Sequence, residues 1–120
     1  MFHSLTAVGR LGRDPELRYT EKGTAMATFS MACDSGFGEN KKTVWFRVTC
    51  FGKTAEAVNE YAKKGMPVVI LGELSPDKAT GSPRIYNSKE TGEAKTSYEV
   101  VASSVKFLPD GKKQEEQAEF

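Results

Sequence analysis

A chain of 120 residues is long enough for one domain with its own core. Hydrophobic residues make up 38% and charged residues 28%, and no apolar run approaches the roughly 20 residues of a membrane span; the opening MFHSLTAVGRLGRD also lacks the basic-then-apolar order of a secretory signal. Net charge is only +1, but residues 109–120 hold four acids (Asp110, Glu115, Glu116, Glu119) against two lysines, which leaves residues 1–108 at +3.

In chain order, Phe2 to Leu11 reads as the first strand, with Leu5, Ala7 and Leu11 on one face. Gly12-Arg13-Asp14-Pro15-Glu16 is a turn. Thr24 to Asp34 is the clearest strand: Ala25, Ala27, Phe29, Met31 and Cys33 face in, while Thr24, Thr28 and Ser30 face out. Asp34 to Lys42 is a polar, Gly-rich loop carrying one aromatic, Phe37.

The strand that follows, Thr43 to Phe51, carries the most information. Side chains on a strand alternate between faces. Val44, Phe46, Val48 and Cys50 form a core face, whereas Trp45, Arg47 and Phe51 share the other with Thr43 and Thr49. Aromatic rings interleaved with an arginine suit stacking of unpaired bases and pairing with phosphates. A sheet buried on both sides, with Arg47 reaching past its neighbours, is the plainer reading, and the strand alone leaves both open.

Lys53 to Lys64 is helical: Ala55, Val58, Tyr61 and Ala62 recur at spacings of three and four, Thr54 is placed to cap the start, and Gly65 ends the helix. Val68 to Leu74 is a short strand. Ser75 to Ser97 reads as an extended hairpin with arms through Arg84-Ile85-Tyr86 and Thr96-Ser97-Tyr98, turning near Glu90-Thr91-Gly92-Glu93. Val100 to Leu108 is the last strand, and residues 109–120 are a short, flexible acidic tail. Strands with one helix after the third and a hairpin before the fifth match an all-β, five-stranded OB-fold Greek-key barrel over residues 1–108.

Catalytic patterns are weak. Gly52-Lys53-Thr54 ends like a phosphate-binding loop, but the glycine needed five residues earlier is Arg47. His3 is the only histidine; no nucleophile elbow and no metal-ligand spacing is present. No catalytic residue, metal or cofactor is expected. Cys33 and Cys50 fall at inward strand positions, outside any CxxC pattern, and read as free buried thiols. Phe37, between two glycines, either closes over a base or folds back on the barrel; Tyr86, near Arg84, has the same two readings. Tyr61 reads as packing.

Val8-Gly9-Arg10-Leu11-Gly12-Arg13-Asp14-Pro15-Glu16-Leu17-Arg18-Tyr19 resembles the opening of bacterial-type single-stranded DNA-binding proteins. So do Trp45-Phe46-Arg47-Val48, Phe51-Gly52-Lys53, Tyr61-Ala62-Lys63-Lys64-Gly65, Gly72-Glu73-Leu74 and Tyr98-Glu99-Val100, in order, across about residues 2–108. The resemblance implies a cytoplasmic OB-fold protein, not an enzyme, that assembles as a homotetramer and binds single-stranded DNA in replication, recombination and repair. It maps base-stacking aromatics onto Trp45 and Phe51, and onto Phe37 and Tyr86 through looser alignment. Arg47, Lys53, Lys42 and Arg84 are then the expected phosphate contacts. The position after Trp45, often histidine in the family near a subunit contact, is Phe46 here. The family's acidic tip with a terminal phenylalanine survives in diluted form, so Glu119 and Phe120 are the expected contacts for replication and repair proteins. The alternative is a primosome-type OB-fold adaptor acting mainly through protein partners; a DNA face with fewer aromatics would be expected of it.

Overall fold

The computed structural model describes residues 2–36 and 38–109, without the side chain of Lys95. Phe37 and the tail residues Glu119 and Phe120 lie outside the described residues. The elements are β1 (Leu5–Leu11), β2 (Glu16–Tyr19), β3 (Ala25–Ser35), a 3-10 turn (Gly38–Asn40), β4 (Lys42–Phe51), α1 (Gly52–Tyr61), β5 (Pro67–Leu74), β6 (Arg84–Asn87) and β7 (Ala94–Phe107).

The strands run β1-β5-β7-β4-β3, and β1 meets β3 again through Arg10 with Ala32 and Leu11 with Met31, which closes a five-strand barrel. Closure removes the open edges of β1 and β3 where they meet. It also demands a glycine. A β-carbon on Gly9 would run into the Ala32 carbonyl oxygen and lie 2.9 Å from the Cys33 sulfur, so no larger residue lets β1 cross β3 here. The fold class is the OB barrel read from the sequence, with β4 and β7 paired in parallel.

Alternation along β3 is as expected: Ala25, Ala27, Phe29 and Met31 are buried and Cys33 is half-buried. They meet Val48 and Cys50 of β4, Val68 and Ile70 of β5, and Val100 of β7 in one core. The helix closes one end of the barrel with Ala55 and Val58.

Besides β1, which starts at Leu5 and not Phe2, three elements differ from the sequence reading. The segment after the first turn forms a short strand, β2, because Glu16–Tyr19 pairs with Thr28–Ala25 of β3. The second hairpin arm and the last strand are one continuous strand, β7, with β6 pairing its first four residues. The helix runs Gly52–Tyr61, so Thr54 lies inside its first turn and no side chain caps it. It also ends early, since backbone groups beyond Ala62 are taken by other partners. Lys64 N–H donates to Asp14 Oδ1 at 2.8 Å and Gly65 N–H to the Leu11 carbonyl at 2.8 Å. Arg10 Nη1 donates to the Gly65 carbonyl at 2.8 Å, which fastens the helix end to β1.

Candidate nucleic-acid interface

The site arises where two β ladders part. From Phe46 to Thr49, β4 is paired on both sides, with β3 and with Tyr98–Val101 of β7. Before Phe46, β4 pairs only with β3; before Tyr98, β7 pairs only with β6. The two hairpins splay apart, and a groove of about 680 Å³ opens between them. Trp45 and Arg47 form one wall with Thr43 and Ser30; Tyr86, Ser97 and Tyr98 form the other.

Trp45 is 53% exposed, an unusual amount for so large an apolar side chain on a central strand. Its ring lies across Gly12: a β-carbon there would come 2.6 Å from the indole. The turn after β1 therefore uses its lack of a side chain to support the ring from behind. The Trp45 face of the strand is open in this chain and not buried under a second layer.

Arg47 stands next to Trp45 on the same face, exposed. It also borders a second hollow of about 230 Å³ with Arg13, Thr28 and Ser30, lined by the carboxylates of Asp14 and Glu16 as well, so the surface continues from the groove across β3 with mixed charge. Its β7 neighbour Glu99 is already committed, accepting from Arg84 Nε at 3.1 Å. Among the described residues Arg47 has no carboxylate partner. Phe51 ends the strand, 43% exposed, about 20 Å from Trp45 at strand rise. Lys53 follows in the first helical turn, exposed.

The structure thus brings Trp45, Arg47 and Tyr86 together around one groove and places Phe51 and Lys53 at the far end of the same strand. Lys42 is exposed at the start of β4, while its neighbour Lys41 is paired with Asp34 at 3.1 Å. Arg84 sits on β6 away from the groove floor, held by Glu99 and by Ser75 Oγ at 3.4 Å, with other guanidinium N–H groups left over. Phe37 lies outside the described residues.

The single-strand binding protein family model matches residues 2–108. The chain belongs to this family. Among curated relatives, the "single-stranded DNA-binding protein" of Xanthomonas axonopodis pv. citri is 39% identical over 106 residues, covering 84% of this chain and 54% of the relative. The protein of the same name from Neisseria meningitidis serogroup A is 35% identical over 84% of this chain and 56% of its own length. The one from Thermotoga maritima is 37% identical over 112 residues, 89% of this chain and 74% of the relative. The chain spans about half the length of the first two of these.

Sequence reasoning passed over two residues of this surface, Tyr98 and Arg13. Tyr98 shares the parity of buried Val100 and Ala102, so alternation assigns it to the core side. Arg13 was absorbed in a turn; only the closure of the barrel carries it beside Arg47. The thiols stand apart from the groove. Burial pushes Cys50 up to about 11, and a backbone hydrogen bond at Ala27 offsets part of that rise. Burial, and then the negative charge of Asp34, also raise Cys33.

Proposed function

We propose that this protein binds single-stranded DNA without sequence preference and has no catalytic step. The observation that carries the reading is Trp45, half-exposed and backed by Gly12, beside Arg47, which has no carboxylate partner among the described residues, and facing Tyr86 across a groove, in a member of the single-strand binding protein family. Unpaired bases stack on Trp45, Tyr86 and Phe51, and Phe37 would add a further ring from the loop. Phosphates meet Arg47, Lys53 and Lys42, with Arg84 contributing the N–H groups that Glu99 leaves free. A π-face is common to every base and a phosphate carries no sequence information, so affinity is broad. The aromatic wall disfavours the adaptor reading.

Four copies are the expected assembly. The outer side of β1, β5 and β7 supports this: Val8 faces Val69 across the ladder, and Leu71 and Val101 are exposed nearby. Phe46 lies at the mouth of the groove, packed on Tyr98, rather than on this face. The proposed setting is the bacterial cytoplasm, where holding unwound strands open serves replication, recombination and repair. Partner proteins of those processes would be met through Glu119 and Phe120.

Trp45 is the only tryptophan, so its emission reports on the site directly. Titration with oligo(dT) should quench it strongly, and duplex of equal length should not. Unquenched emission at saturating oligonucleotide would remove Trp45 from the site.

A further inference from the structure

Tyr98 lies on the core-facing side of β7, yet it is 56% exposed. The cause is local. Its pairing partner on β4 is Phe46, the last residue before the two ladders separate, so nothing covers Tyr98 on the groove side.

The ring is nevertheless held. Phe46 packs against it with centroids 6.0 Å apart at an interplanar angle of 53°. It also borders a separate apolar pocket of about 250 Å³ beneath the Ser75–Pro83 loop, with Leu74, Pro76 and Pro83. The next residue, Glu99, anchors that region through Arg84. A ring already fixed in position loses little freedom when a ligand stacks on it, and this favours affinity.

We infer that Tyr98 is a further base-stacking residue, which takes an unpaired nucleobase in the groove it lines with Trp45 and Tyr86. This rests on the single-strand reading above. Ser30 and Ser97 line the same groove, and their hydroxyls both donate and accept, so they satisfy base edges without selecting one base.

The test joins cross-linking to affinity. The tryptic peptide Thr96–Lys106 contains Tyr98 as its only aromatic residue, and Thr43–Arg47 contains Trp45. Irradiating the protein with a 5-iodouracil oligonucleotide should label both peptides. Tyr98→Leu keeps an apolar contact for Phe46 but loses the ring, and should weaken oligo(dT) binding about tenfold in anisotropy titrations. Tyr98→Phe should restore it. The inference is overturned if Thr43–Arg47 is labelled and Thr96–Lys106 is not, or if Tyr98→Leu binds as tightly as the parent. Equal losses in Tyr98→Phe and Tyr98→Leu would assign the role to the hydroxyl and overturn stacking. A parent protein that neither quenches nor cross-links would overturn the single-strand reading itself, and this inference with it.

Discussion

Two sides of the barrel expose apolar side chains, and they differ in kind. On the β3–β4 side the exposed groups are aromatic, Trp45 and Phe51, with Arg47 between them and Thr28 and Ser30 alongside. On the β1–β5–β7 side they are mostly aliphatic, Val8, Leu71 and Val101, with the ring of Phe2 beside the last two. An aliphatic patch gains only by shedding water, which any complementary apolar surface provides, a second copy included. A ring beside a cation gains from a partner that offers both a π-face and a negative charge. Exposure alone therefore marks both sides as contact surfaces; the chemistry of the exposed groups says which contact each one suits.

The most drastic way to break this comparison is to charge the aliphatic side. Leu71→Glu should dissociate the assembly, so that light scattering falls from a tetramer to the 13.2 kDa monomer while oligo(dT) still quenches Trp45. An unchanged mass would mean that the contact lies elsewhere, and a parent protein already monomeric at micromolar concentration would remove the tetramer.

On the aromatic side, Trp45→Ala should cost roughly 1–3 kcal/mol of binding free energy with the fold kept. Gly12→Val should have an effect of the same sign without touching Trp45, because the new side chain occupies the space of the indole, 2.6 Å from where a β-carbon would sit. Fluorescence anisotropy with a short oligonucleotide measures both. If Gly12→Val binds normally, the ring has another support.

A smaller effect separates charge from stacking. Log affinity should fall linearly with log salt, by about 0.7 per phosphate contacted on a single strand. Arg47→Ala should flatten that slope, whereas Trp45→Ala should lower affinity and leave the slope alone. A slope unchanged in Arg47→Ala would take that guanidinium off the phosphates.

The core between the two sides has its own pH response. Cys50 keeps its proton in the native state until about pH 11, whereas an exposed thiol releases it near 9.0. Below pH 9 both states hold the proton and nothing changes. Between the two values the unfolded chain ionises first, so stability should fall as pH rises. Cys50→Val should lose less stability over that window in urea titrations. Equal losses would mean that the thiol plays no part. In the native protein at pH 8, half-buried Cys33 should react with a thiol reagent before buried Cys50.

The smallest effect belongs to the tail. Deleting residues 109–120 should leave assembly intact and raise oligonucleotide affinity slightly at low salt, where the acidic groups are least screened. A loss of binding would place the tail within the fold.

The sequence by itself determined the barrel class and most of the exposed aromatic strand. Strict alternation from Ala25 to Met31 specifies which side is core, since a one-residue slip would turn the whole set to solvent. The same rule isolates Trp45, Arg47 and Phe51, because an arginine among rings is a poor core. Local pattern could not fix the end of the helix, which depends on Asp14 and Leu11 reached across roughly fifty residues of chain. Nor could it find Tyr98. Parity assigns that residue to the interior, and only the parting of the β4 and β7 ladders at Phe46 exposes it to the groove. Alternation is a property of one strand and is written in one strand's residues. Where two strands stop pairing is a property of both, together with the hairpins that draw them apart, and is decided only when the barrel closes.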